Sequence, residues 1–143
     1  MKKTGAKITK SRLRSHPPIV MSVTDKGDEI AVRLAVSALI DGTGNARTLD
    51  VLLTHLHLLQ FGADSKGNKQ AKIVCDVAAV ALESVLDRYR NTDRVGATGE
   101  ERKAIEMLVF ESIDFWKRQS GTVRDACVVA VNGWYSELER AAA

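Results

Sequence analysis

Residues 69–90, with the sequence KQAKIVCDVAAVALESVLDRYR, decide the fold predicted for this chain. On a helix that advances about 100° per residue, most charged side chains of this stretch fall on one narrow line. That line contains Lys69, Lys72, Asp76, Glu83, Asp87 and Arg90. Apolar residues fill most of the remaining circumference, whereas a helix at a domain surface usually carries a single apolar stripe. The pattern therefore predicts a helix that lies inside the fold, with neighbours on several sides.

Four further helices are predicted around this one. Apolar spacing indicates helices over residues 28–40 and 48–61 before it and, after it, from about 99 to 119 and from 123 to 140. A capping box that joins Thr98 to Glu101 marks the start of the fourth helix. Alternating apolar residues leave a strand open as the alternative for residues 28–40. The chain is thus predicted to be an all-α, single-domain bundle of about five helices with a central, mostly buried third helix.

Two connections follow from the turn residues. The glycines and small polar residues of GADSKGN, residues 62–68, predict a loop between the second and third helices. The fourth and fifth helices are joined by few residues, which predicts that they pack against each other as an antiparallel hairpin.

Composition bounds the class of protein. The chain has 143 residues, 45% of them hydrophobic and 27% charged, which is ordinary for one globular domain. It lacks an apolar run long enough to cross a bilayer, and its basic N-terminus lacks the apolar segment of a secretion signal. The two cysteines fall on apolar parts of predicted helices and are expected to be buried thiols. We therefore expect a cytoplasmic protein with no membrane contact.

The positive charge is concentrated at the N-terminus. The first 14 residues carry six basic side chains and no acidic one, whereas the rest of the chain holds 15 Lys and Arg against 18 Asp and Glu. The six are Lys2, Lys3, Lys7, Lys10, Arg12 and Arg14. Residues 1–18 are predicted to be a flexible basic arm that precedes a helical domain at 19–143. Such an arm can neutralise nucleic-acid phosphates, although a solubilising terminus without a partner is at least as common.

No catalytic, cofactor or metal signature is present. His55 and His57 lie two residues apart, so on a helix they point about 160° away from each other and cannot share an ion. Gly42 and Gly44 form a GxG, but Arg47 stands where a dinucleotide fingerprint needs a third glycine. The sequence also lacks a P-loop, GxSxG, HExxH and CxxC. No catalytic residue, metal ligand or cofactor is therefore predicted.

Apolar residues on otherwise polar helix faces suggest a contact surface. On the fourth helix Met107 and Phe110 lie among charged side chains, and on the second helix Val51 and Leu58 lie opposite the leucine stripe. Cover by another part of the same chain is the alternative for all four. We expect them to contact a protein partner or a second copy, so the first hypothesis is a non-enzymatic interaction or regulatory protein that forms a homo-oligomer.

Two other functions stay open. A nucleic-acid-binding protein would depend almost entirely on the arm, because no helix has the polar outer face of a recognition helix. An enzyme or small-ligand binder would need a pocket inside the bundle. The polar groups available for such a pocket are His55, His57, Arg88 and Asp114.

Overall fold

The computed structural model describes residues 26–142, which form five α-helices and no strand. They are α1 (Lys26–Asp41), α2 (Ala46–Lys66), α3 (Lys69–Thr92), α4 (Gly99–Lys117) and α5 (Gly121–Ala142). The predicted all-α bundle is confirmed, and residues 28–40 are helical. The predicted arm, with its six basic residues, lies outside the described residues.

Short capping motifs set the helix ends. The side chain of Asn45 accepts hydrogen bonds from the backbone of the first turn of α2, and the hydroxyl oxygen of Thr48 accepts one from the backbone N–H of Asn45. Gly67 ends α2 in the left-handed conformation, with φ of 62°, which glycine adopts at little steric cost. The capping box of Thr98 and Glu101 at the start of α4 is confirmed.

The loop predicted for residues 62–68 is wrong, because α2 continues through Gly62 to Lys66. Gly62 is buried, and a Cβ atom at this position would lie 2.8 Å from a ring carbon of Phe115 and 2.9 Å from one of Trp116. The glycine thus lets α4 approach the backbone of α2 closely. Its role is helix packing, and only the short connection at Gly67 and Asn68 separates α2 from α3.

Helix α2 is the centre of the bundle, since it contacts all four other helices. Helix α3 packs mainly against α2 and α4 and buries one face against them. The buried residues of that face are Ala71, Val74, Cys75, Ala78, Ala81, Leu82 and Val85. On the opposite side Ile73, Val77 and Val80 are exposed. The predicted burial of this helix is therefore confirmed for one face and wrong for the other, because its two neighbours do not reach around the whole circumference.

Helix α5 packs mainly on α2. The hydroxyl of Tyr135 lies 2.7 Å from Nδ1 of His57, and the ring of Trp134 meets the His57 imidazole edge to face at 4.7 Å between centroids. The predicted packing of the fourth helix on the fifth is therefore wrong: after the turn at residues 118–120, α5 crosses to α2, where these aromatic contacts hold it.

Candidate interaction surface

Two ion pairs fix the neighbours of α3. The Arg88 guanidinium donates hydrogen bonds of 3.0 and 2.9 Å to the two carboxylate oxygens of Glu101 on α4. From another side of the same helix, Lys72 reaches Asp64 of α2 at 3.2 Å. Helix α4 therefore lies on the Arg88 side of α3, and α2 lies on the Lys72 side.

The exposed apolar residues of α3 face outward between these two sides. At about 100° per residue, Val77 lies roughly 20° from Arg88, and Ile73 lies roughly 60° from it. Val80 lies about midway between the directions of Arg88 and Lys72. The exposed fraction is 55% for the side chain of Val77, 60% for Ile73 and 69% for Val80. They form a stripe on the outer face of α3, beside α4.

Helix α4 continues this apolar surface. Glu111 lies on the part of α4 near Cys75 of α3, whose pKa is raised mainly by burial and, to a smaller extent, by nearby negative charges that include Glu111. Met107 lies only about 40° around the helix from Glu111, and Phe110 lies further outward. Their side chains are 58% and 74% exposed.

The contact between Arg88 and Glu101 also fixes the offset of the two antiparallel helices α3 and α4 along their axes. Counting from it at about 1.5 Å per residue places residue 78 of α3 level with residue 111 of α4. All five exposed side chains then fall within about 14 Å along the helix axes. We call this surface the α3–α4 outer face; its residues are Ile73, Val77, Val80, Met107 and Phe110.

The four predicted contact residues divide between surface and core. Met107 and Phe110 are exposed and belong to the outer face. Leu58 is fully buried within the chain, so it is corrected to a core residue, and Val51 is half-buried against the same core. Helix α2 has neighbours on every side, which explains why both of its apolar faces are covered.

Sequence reasoning missed Ile73, Val77 and Val80 as surface residues. The wide apolar arc of residues 69–90 instead predicts that these three side chains are buried. The helix positions contain a signal that points to the surface. Ile73 and Val80 lie within about 40° of the directions of Lys69 and Asp87, which are exposed. Apolar residues this close to a solvated charged line indicate the border of a contact surface.

The two histidines have separate structural partners. Nδ1 of His55 lies 3.2 Å from the backbone oxygen of Val51, one turn earlier on α2. Burial, with a smaller contribution from the positive charge of Arg124, lowers the pKa of His55 to about 4, so this imidazole is neutral near pH 7. His57 instead contacts Tyr135, and burial raises the pKa of that phenol to about 12.

Arg88 and Asp114 lie far from each other. Arg88 binds Glu101 and the backbone oxygen of Gly96 at 2.9 Å, which ties the connection before α4 to the end of α3. Asp114 pairs with Arg118 on the surface at 2.8 Å. Glu101 and Asp114 are 13 positions apart on α4, or about 20 Å. The four polar groups considered for a pocket are therefore not brought together.

Among residues 26–142, the possible metal ligands and the two cysteines lack the surroundings that a metal site or a reactive thiol needs. No group of three or more His, Cys, Asp or Glu side chains in this part of the chain could hold a metal ion. Cys75 and Cys127 are both buried thiols, as the sequence predicts. Burial raises the pKa of Cys75 to about 12, which keeps this thiol protonated.

Comparison of the chain with protein-family models, curated proteins and solved structures found no match. In the part of the chain that the structure describes, none of the helices has the length and apolar character needed to span a bilayer.

Proposed function

We propose that this chain is a non-enzymatic helical interaction protein that acts through protein–protein contacts and associates with itself through the α3–α4 outer face. The observation that carries the proposal is the cluster of five large apolar side chains, each more than half exposed, on two adjacent helices. Single exposed apolar residues are ordinary on protein surfaces. A contiguous group marks a contact site, because covering it removes apolar area from water in one step.

The shape of the surface also supports this function. Both helices are held rigidly beneath it, because α3 and α4 share the most extensive helix–helix contact of the described bundle. Their inner faces place Val85, Leu108 and Phe115 in the core, fully buried. A partner would therefore meet a preformed surface and would not have to order it on binding, which favours affinity.

Replacing one exposed valine tests the proposal, with a second valine as the matched control. Val80 on the outer face is 69% exposed, and Val129 on α5 is 71% exposed. The full chain is expected to associate at micromolar concentration, as measured by light scattering after gel filtration. Val80→Glu should convert it to a monomer, because a charge in an apolar contact must be desolvated. Val129→Glu should associate like the wild type.

Circular dichroism spectra of both variants check that each remains helical. A wild-type chain that stays monomeric up to high micromolar concentration would contradict self-association. Equal loss of association in Val80→Glu and Val129→Glu would show that the outer face is not the contact site.

Nucleic-acid binding through the arm is the second candidate. The observation that favours it is the run of six basic residues without an acidic one in residues 1–14, against the excess of acidic residues in the rest of the chain. Phosphate contacts by such a segment would bind DNA or RNA with little sequence preference. This function would leave the outer face unused, so the Val80→Glu variant should bind nucleic acid as the wild type does.

A further inference from the structure

The charges beside the outer face run against the preference of helix α3. Its first turn holds Lys69 and Lys72 and no acidic residue, although the N-terminus of a helix favours negative charge. Glu83 and Asp87 follow in the second half of the helix, and all four side chains are exposed. Within the chain Lys72 pairs with Asp64 of α2 at 3.2 Å, and Asp87 pairs with Arg90 in the last turn of α3 at 2.7 Å. The four side chains nevertheless stay exposed, so they are available to opposite charges on a second surface.

The same charges are arranged symmetrically about the middle of α3. Lys69 and Asp87 each lie nine positions from residue 78, and the midpoint between Lys72 and Glu83 falls at almost the same place. Val77 and Val80 flank this midpoint, and Phe110 of α4 lies level with it. Apart from Asp76, an exposed acidic residue at the edge of the apolar centre, one helix carries basic residues, an apolar centre and acidic residues in order, which complements its own reversed copy.

We propose that the partner of the outer face is a second copy of this chain, with α3 antiparallel to α3 of that copy about a twofold axis near residue 78. This inference depends on the self-association proposed above and specifies its geometry. In this arrangement Lys69 faces the partner's Asp87, and Lys72 faces the partner's Glu83. Because a twofold contact is isologous, each of these ion pairs occurs twice.

The apolar residues then meet at the axis. Val77 and Val80 pack against the same residues of the copy, and Phe110 lies beside its own counterpart. Each charged pair borders this apolar centre, as is usual for an interface with an apolar core and a polar rim. A parallel arrangement of the two α3 helices would instead bring like charges together, which disfavours it.

Two double variants with reversed charges test the orientation. Lys69→Glu with Lys72→Glu makes both ends of the face acidic, and Glu83→Lys with Asp87→Lys makes both ends basic. Either variant alone should associate at least about tenfold more weakly than the wild type, because all four ion pairs become repulsive. An equal mixture should form a heterodimer with affinity near that of the wild type, since every pair is again attractive.

Glu137→Lys with Glu139→Lys on α5 is the matched control, because it changes the net charge by the same amount at two exposed glutamates. This control should associate like the wild type. Native mass spectrometry of the mixture, with one variant isotope-labelled, distinguishes the heterodimer from the homodimers.

The outcomes separate this inference from the proposed function. If the wild type associates and Val80→Glu does not, but the charge-reversed mixture shows no preference for the heterodimer, then the antiparallel arrangement is wrong and the self-associating surface stands. If Val80→Glu associates like the wild type, both proposals fail. A preferred heterodimer with a normal Glu137→Lys/Glu139→Lys control supports both.

Discussion

Gly62 offers the sharpest test of the packing between α2 and α4. Replacing glycine by alanine inside a helix contributes about 1 kcal/mol of stability through helix propensity. At Gly62 the added Cβ would also lie 2.8 Å from Phe115 and 2.9 Å from Trp116. Phe115 is fully buried and Trp116 nearly so, and the two rings meet edge to face at 4.9 Å. These rings cannot move aside without disturbing the core, so crowding should cost about 1–3 kcal/mol.

Gly133→Ala is the matched control, because Gly133 also lies inside a helix but has no atom within 4 Å of an added Cβ. This variant should be about 1 kcal/mol more stable than the wild type. Gly62→Ala should be less stable than Gly133→Ala by about 1–3 kcal/mol, because the propensity gain is common to both and only the crowding differs.

Urea unfolding followed by circular dichroism measures both variants, at one protein concentration because association also affects stability. Equal midpoints with equal slopes for Gly62→Ala and Gly133→Ala would refute the close approach of α4 to the backbone of α2.

Three further outcomes are expected. The pKa of His55 is lowered from 6.5 to about 4, so the unfolded chain takes up its proton first as the pH falls; stability should drop between pH 6.5 and 4 by up to roughly 3 kcal/mol, and His55→Leu should flatten this part of the unfolding profile. Arg88→Lys loses the two-oxygen contact with Glu101 and should lower the free energy of unfolding by about 1 kcal/mol, whereas Arg118→Lys, at an exposed pair, should change it by less than about 0.5 kcal/mol. If the arm binds nucleic acid, deleting residues 1–18 should abolish binding, and the affinity of the full chain, measured by fluorescence anisotropy, should fall steeply with salt; unchanged affinity after the deletion would exclude the arm.

Local patterns predict local structure well in this chain. The capping box at Thr98 depends on residues three apart, and it forms as the sequence indicates. Apolar spacing likewise identifies the helices themselves, including residues 28–40, where three alanines and an ion-pair spacing favour a helix. Glu29 and Arg33 indeed pair there at 3.3 Å.

Long-range contacts explain where the prediction fails. In the local sequence Gly62 looks like a helix breaker. The rings that explain its position inside a helix, Phe115 and Trp116, lie more than 50 positions away, so the local pattern does not contain them. The packing of α5 depends on contacts of His57 with Trp134 and Tyr135, which are even further away in sequence, at 78 positions for Tyr135. A short loop predicts that the two helices it joins pack against each other. Which helix each one actually packs on is decided by the surface that offers the best-fitting apolar and hydrogen-bonding contacts.

The third helix shows how a local pattern can be informative and still be misread. Apolar residues around most of a helix indicate that most of its circumference is removed from water, but they do not specify which chain covers it. In this structure α2 and α4 cover the arc centred on Ala78, and the apolar residues outside that arc are Ile73, Val77 and Val80. A second copy of the chain, packed on those residues, would complete the burial that the pattern requires. The width of the apolar arc in residues 69–90 is therefore itself an argument for the partner, and Val80→Glu tests both at once.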